Sequence, residues 1–365
     1  PRRHDRPDPR RPERGCHLGG PTTGPVARGV YGLEAANLLL GWRLPGGSSD
    51  PNDVAQIASA ILYNGQAGLI DLDLTQQQKV LGAYGGYSGQ PDYSTFLVGG
   101  SPKAGQTLEE VRDLLLAEVA KLRSGDFDEK LIEASINNFK LYQMKAYEDN
   151  ASRADMYVQS FIAGTNWADE VAQLDRMSKI TKQDVVDWAN KYLGEKSYAI
   201  VYKREGEDKN VQKIAAPKIT PIVTNRDKQS AFLTEIQQSK VKPIEPVFVD
   251  YQKDMAQFDV RDGIHVLYKK NELNDIFTLR YTFDMGTESN PAMGPAFDYL
   301  SYLGTDTMSA EQIASAMYDL ACSFYMGAGN NPSSITHTGL SEKMPHALAF
   351  VQGLFAGAVP RHARP

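Results

Sequence analysis

Tyr93-Ser-Thr-Phe-Leu-Val98 and then Thr107-Leu-Glu-Glu-Val-Arg-Asp-Leu-Leu-Leu-Ala-Glu-Val-Ala-Lys-Leu-Arg-Ser-Gly125 mark the point where the chain turns from strand to helix. The first run is a strand candidate, joined through a Gly/Pro turn to Lys79-Val-Leu-Gly-Ala-Tyr-Gly-Gly-Tyr-Ser-Gly89. Thr107-x-x-Glu110 is a capping box, in which hydroxyl and carboxylate each satisfy a backbone N–H that the first helical turn leaves unpaired. Leu108, Val111, Leu115, Val119 and Leu122 follow at helical spacing, so one face of the helix is apolar. Gly125 and Asp126 predict its end and the start of the next helix.

Upstream, Ala36-Asn-Leu-Leu-Leu-Gly-Trp-Arg-Leu44 reads as a buried strand stopped by Pro45-Gly46-Gly47. Asp50 or Asp53 can cap a helix through Val54, Ile57, Ala58, Ile61 and Leu62. Downstream, Ile132, Ile136, Phe139 and Tyr142 mark a longer helix, and a third covers about 151–163. Thr181-x-x-Asp184 caps a helix through Val185, Trp188, Ala189 and Leu193, and Tyr198-Ala-Ile-Val-Tyr202 is a closing strand. Strands first, helices next and a strand last predict an α+β two-layer sandwich, a mostly antiparallel sheet with helices on one side.

Residues 206–248 are rich in Lys, Glu, Gln and Pro and read as a linker with a helical patch near Ala231–Gln238. A second unit, residues 249–359, opens with a strand at 260–268 and another at 277–283. Ser309-x-x-Gln312 caps a helix through Ile313, Ala316, Met317 and Leu320; a strand at 334–338 and a helix from about Ser341 complete it. This unit reads as truncated.

The chain has 365 residues, 41% of them apolar, and no apolar run near 18 residues, so no membrane span is expected. Residues 31–359 carry 30 Lys+Arg against 42 Asp+Glu, a balance that argues against nucleic acid as partner. Residues 1–30 differ: seven Arg, no Lys and six Pro. They and residues 360–365 are expected to be foreign or disordered. No signal peptide is recognisable, so the compartment is left open.

Residues 294–305 read Gly-Pro-Ala-Phe-Asp-Tyr-Leu-Ser-Tyr-Leu-Gly-Thr, after the strand-like Phe277-Thr-Leu-Arg-Tyr-Thr-Phe-Asp-Met-Gly286. In that order they resemble the zinc-binding segment of the insulinase/pitrilysin family of metallopeptidases, where a strand and turn precede a helix bearing His-x-x-Glu-His. Counted back from Gly304-Thr305, the histidine positions hold Pro295 and Tyr299, and the glutamate position holds Asp298. Proline has no side-chain lone pair, and a phenol with a pKa near ~10 stays protonated at neutral pH. Asp298 without a metal-activated water has little to act on as a base. No catalytic, cofactor-binding or metal residue is therefore assigned; Phe297, Leu300 and Leu303 are expected to be ordinary helix core positions. Residues 31–205 resemble the family's non-catalytic domain, in the order of their elements and in Leu62-Tyr-Asn-Gly-Gln-Ala-Gly-Leu69 and Ile180-Thr-Lys-Gln-Asp-Val-Val-Asp-Trp-Ala-Asn-Lys-Tyr-Leu193.

Other motifs are weaker. Of six histidines, His4, His17, His265, His337, His346 and His362, no two lie one helical turn apart; His265 and His337 read as strand residues. Cys16 and Cys322 form no CxxC site. The cluster Gly82, Gly85, Gly86 and Gly89 lacks the Lys-Ser/Thr pair of a phosphate loop and reads as a twisted strand. Tyr84, Tyr87 and Tyr93 either pack in the sheet or line a peptide-binding surface.

The resemblance implies a non-catalytic portion of a zinc metalloendopeptidase, inactive alone, forming chamber wall and interhalf linker. Zinc is expected in the full-length parent and not in this chain. Implied partners are peptides or unfolded polypeptide segments, and a catalytic domain or active subunit; one setting for the parent is the cell envelope or periplasm. The alternative is a naturally inactive subunit that binds peptide or scaffolds an active partner.

Overall fold

The computed structural model describes residues 24–46, 51–208, 215–222, 224, 226, 228–261, 263–300 and 302–359. Two compact units divide the chain: residues 208–272, and the remainder on either side of them.

The larger unit opens with β1 (Val26–Gly32), β2 (Asn37–Pro45), α1 (Pro51–Leu62) and one turn of π-helix at Asp71–Thr75. Next come β3 (Gly82–Ser88), β4 (Tyr93–Ser101), α2 (Leu108–Ser124), α3 (Lys130–Glu148) and α4 (Asn150–Ala163). The short α5 (Trp167–Val171) and α6 (Gln173–Met177) lead to α7 (Lys182–Tyr192) and β5 (Tyr198–Glu205). The sheet order is β1-β5-β2-β4-β3, antiparallel except for the parallel β1–β5 edge.

Local chemistry accounts for the helix ends. Both capping boxes, Thr107 with Glu110 and Thr181 with Asp184, are formed. α2 ends on Gly125 at φ 75°, a left-handed conformation that costs glycine little. Asp126 does not start the next helix: Phe127 first turns into the core, and α3 begins at Lys130, whose N–H donates to Asp128. Asp53 lies inside the first turn of α1 and pairs there with Arg176 at 2.7 Å, while Asp50 lies outside the described residues.

Alternation places Leu38, Leu40, Trp42 and Leu44 of β2 on one face with Phe96 and Val98 of β4. They pack against Ile57 and Ile61 of α1, Leu115 and Leu122 of α2, and Trp188 of α7. Each such side chain contributes about 1.5–3 kcal/mol by leaving water. The Trp42 indole donates to the Gly194 carbonyl at 3.1 Å, so its burial leaves no orphan donor. This is the α+β sandwich with helices on one side.

Residues 273–359, read from sequence as part of a separate unit, pack in the same compact unit as 24–207. They hold β8 (Ile276–Phe283), α9 (Met293–Leu300), β9 (Gly304–Thr305), α10 (Ala310–Asp319), β10 (Cys322–Ala328), β11 (Ser333–Leu340), α11 (Met344–Gly357) and β12 (Ala358–Val359). The Ser309/Gln312 capping box opens α10. β10, β11 and β8 form an antiparallel sheet in that order, and β12 pairs with β9. Leu141 of α3 packs with Ile276, Ala321 and Leu340. The smaller unit contains α8 (Ala231–Gln238) and a hairpin of β6 (Ala256–Arg261) and β7 (Ile264–Tyr268), turning at Gly263 with φ 81°. The readings of 1–23 and 360–365 fall outside the described residues; Val26–Val30, grouped with the first segment by composition, lie in β1.

Candidate functional site

The segment aligned with a zinc helix does fold as a helix, α9, ending before Gly304-Thr305. Pro295, Asp298 and Tyr299 are exposed along it; Phe297, Leu300 and Leu303 are half-buried, less than core positions would be. This donor set does not fit a catalytic zinc, which takes imidazole and carboxylate ligands around an open water position. Among the described residues no group of three His, Cys, Asp or Glu could hold a metal ion.

His337 lies in the middle of β11, 1% exposed, its ring 4.8 Å from Phe324 and 6.3 Å from Tyr281. Neither ring nitrogen has a hydrogen-bond partner among the described residues, and burial holds its pKa below the ordinary value. It is a core residue. His265 faces Asp259 across the β6–β7 hairpin at 2.9 Å. Cys322 is buried, and burial pushes its thiol up to about 11, leaving it a poor nucleophile. Gly82, Gly85 and Gly86 are strand residues of β3, where a Cβ on Gly85 would stand 3.3 Å from the Leu97 carbonyl, and Gly89 follows the strand.

The three tyrosines part company. Side chains alternate along a strand, and Tyr87, opposite Phe96, shares the helix-covered face. Tyr84 and Tyr93 lie on the other face, where Tyr84 covers Gly99 and Arg43 stacks over Tyr93 at 5.0 Å.

Tyr87 of β3 opens into a cleft of about 510 Å³ built also from four other parts of the chain. Gln56, Ser59, Ala60 and Tyr63 come from the end of α1 and the residue after it, Asn64 and Gln66 from the following loop, Asn138, Phe139 and Tyr142 from α3, and Tyr318 from α10. The loop is Tyr63-Asn-Gly-Gln-Ala-Gly68, within the stretch the sequence reading singled out. Asp71 Oδ2 accepts the N–H groups of Asn64, Gly65 and Gly68 at 2.9–3.0 Å. Asn64 Oδ1 accepts those of Gln66 and Ala67. Gly68 is needed for close approach, since a Cβ there would lie 2.7 Å from Tyr63 Cα and 2.8 Å from the Leu62 carbonyl.

Across the cleft, the Tyr318 hydroxyl donates to Ser135 Oγ at 3.1 Å, and Ser135 donates to the Leu131 carbonyl. Asn138 Nδ2 donates to the Tyr318 carbonyl, and Gln66 Nε2 to that of Ala314, so α10 is docked by polar contacts at its middle and its C-terminal end. Burial raises the Tyr63, Tyr87 and Tyr318 phenols, the last to about 12, with Asp71's negative charge adding at Tyr63 and Tyr318. All three stay protonated donors at neutral pH. Burial also raises the Asp71 carboxyl, against the lowering effect of its amide bonds. Among the described residues no Lys, Arg, Asp or Glu lines the cleft. The lining offers aromatic faces and side-chain amides. Of its residues the sequence marks Tyr87 as a surface candidate, Phe139 and Tyr142 as helix-face positions, and Tyr63, Asn64 and Gln66 as part of a family-like stretch, but nothing local joins them with Gln56, Ser59, Asn138 and Tyr318 in one cleft.

No curated protein matches the chain. Residues 7–139 match the family model described as the peptidase M16 inactive domain. Among solved structures, a protease from Helicobacter pylori is 15% identical, covering 51% of this chain and 45% of that one, at a TM-score of 0.48. The peptidase M16 inactive domain from Pseudomonas fluorescens is 13% identical, covering 50% and 44%, at 0.44. The periplasmic protease PqqL from Escherichia coli is 10% identical, covering 93% and 41%, at 0.39. The chain thus spans less than half the length of each of these three. The match over residues 7–139 assigns that stretch to the inactive domains of the M16 peptidases, the insulinase-type family whose non-catalytic domain the sequence resembles.

Proposed function

We propose that this chain is a non-catalytic portion of a zinc-dependent metalloendopeptidase, forming part of a substrate-chamber wall and the linker between two halves. In this reading residues 31–205 are the non-catalytic domain, 206–248 the linker and 249–359 a degenerate peptidase-family domain. The observation that carries it is the α9 helix, which has Pro295, Asp298 and Tyr299 where zinc hydrolysis would need two imidazoles and a glutamate. The tyrosine- and amide-lined cleft supports a binding role, since it offers contacts for polypeptide without a nucleophile. The zinc and the hydrolytic step belong to the parent enzyme, whose peptides this wall would contact.

The test is metal analysis of purified protein beside a quenched-peptide cleavage assay. The expected result is no stoichiometric zinc and no turnover, with peptide binding retained. Zinc at one ion per chain with turnover would overturn the proposal. Isolation from its native source with a stoichiometric partner bearing His-x-x-Glu-His on a separate polypeptide would identify an inactive subunit instead.

A further inference from the structure

We propose that the cleft between α1, α3 and α10 is a subsite for one basic side chain, an aliphatic ammonium or guanidinium carried by a bound peptide. This rests on the reading of the chain as a peptide-contacting wall and adds which residue type the wall selects. Three observations converge. Aromatic side chains line the cleft on several sides: Tyr63, Tyr87, Phe139, Tyr142 and Tyr318. Aromatic faces attract cations through their quadrupole. Among the described residues no cationic side chain lines the cleft, and the side chains of Gln56, Asn64, Gln66 and Asn138 stand beside the rings. A buried carboxyl, Asp71, sits beneath the Tyr63 loop, bonded to the backbone of Asn64, Gly65 and Gly68, and bears on both Tyr63 and Tyr318. Asp71 is held there by three backbone N–H groups, so as a carboxylate it lends negative charge near the cleft without lining it. A carboxylate or phosphate would meet that charge with no counter-charge. The cleft's volume, about 510 Å³, suits a side chain with its flanking backbone.

The experiment is isothermal titration of the full chain with Ac-Ala-Arg-Ala-NH₂ and with its citrulline counterpart, which keeps the shape but lacks the charge and carries a carbonyl oxygen in place of one nitrogen. The arginine peptide should bind roughly three- to thirtyfold more tightly, the range of a partly desolvated cation–aromatic contact. Tyr142 is 68% exposed, so Tyr142→Leu leaves the core intact; it should remove most of that preference. Tyr84→Leu, on the opposite sheet face, should leave the preference unchanged. Equal affinities for the two peptides, or an undiminished preference in Tyr142→Leu, would overturn the subsite while leaving the wall reading in place. Binding of neither peptide would overturn the subsite, and loss of binding to longer unfolded segments as well would remove the wall reading with it.

Discussion

Replacing Asp71 with alanine tests whether the loop that shapes the cleft is held from within. The carboxylate is 7% exposed, and its Oδ2 alone accepts three backbone N–H groups, from Asn64, Gly65 and Gly68. A hydrogen bond to a charged group contributes about 1.5–3 kcal/mol. The three do not add in full: the Asn64 and Gly65 donors lie at the edge of the protein and can turn to water, whereas Gly68 N is buried. Removing the carboxylate also relieves its own desolvation. The net expectation is a loss of about 3 kcal/mol for Asp71→Ala. Asp71→Asn keeps one oxygen in the accepting position and should lose only about 1 kcal/mol, the difference between charged and neutral acceptors. The assay is urea unfolding followed by tryptophan fluorescence. Trp42, Trp167 and Trp188 are the only tryptophans in the chain, and all lie within residues 31–205 beside this loop's domain. An Asp71→Ala loss under 0.5 kcal/mol, or an asparagine variant as damaged as the alanine one, would refute the account.

Further outcomes follow from the same contacts. Gly68→Ala should destabilise by about 2–4 kcal/mol in the same assay, because its Cβ meets backbone atoms of Leu62 and Tyr63 that cannot move aside cheaply. Tyr318→Phe removes a hydroxyl whose partner Ser135 keeps its bond to Leu131, so thermal unfolding should register a loss near 1 kcal/mol. Tyr318→Ala, emptying a buried aromatic site, should lose about 3–5 kcal/mol. His337 has a folded pKa below its unfolded value, so the unfolded chain binds a proton that the native strand refuses. The stability is therefore full above about pH 6.5 and falls as pH drops below it. Hydrogen exchange of the 333–340 peptide, corrected for intrinsic rates, should be faster at pH 5.5 than at 7.5, and His337→Leu should abolish that difference.

The elements legible in the chain were those governed by neighbours in sequence. The capping boxes at Thr107, Thr181 and Ser309 formed because each involves residues three apart. The strand candidates at 36–44, 93–98 and 277–283 formed, and the α+β class followed from their order. Less legible were elements whose reason is distant. β1 is exposed along almost its whole length and exists by pairing with β5 more than 170 residues away. β10, Cys322-Ser-Phe-Tyr-Met-Gly-Ala328, was not singled out; it is a strand because β11 runs beside it. Asp53 looked like a cap and became half of an ion pair with Arg176, a partner no local pattern announces. Tyr84, Tyr87 and Tyr93 are close in sequence but fall on two faces of the sheet.

By itself the sequence determined the α+β character, the helix starts at the capping boxes of Thr107, Thr181 and Ser309, and which residues, Pro295, Asp298 and Tyr299, stand at the positions compared with His-x-x-Glu-His. Those depend on side-chain identity and on contacts within a few residues. Only the tertiary structure decided that Tyr63, Tyr87, Tyr142 and Tyr318 share one cleft, that Asp71 lies beneath it, and that His337 is sealed between aromatic rings. Those depend on chain closure over tens to hundreds of residues. Burial and field arise there from what folding brings together, and no local spacing encodes them.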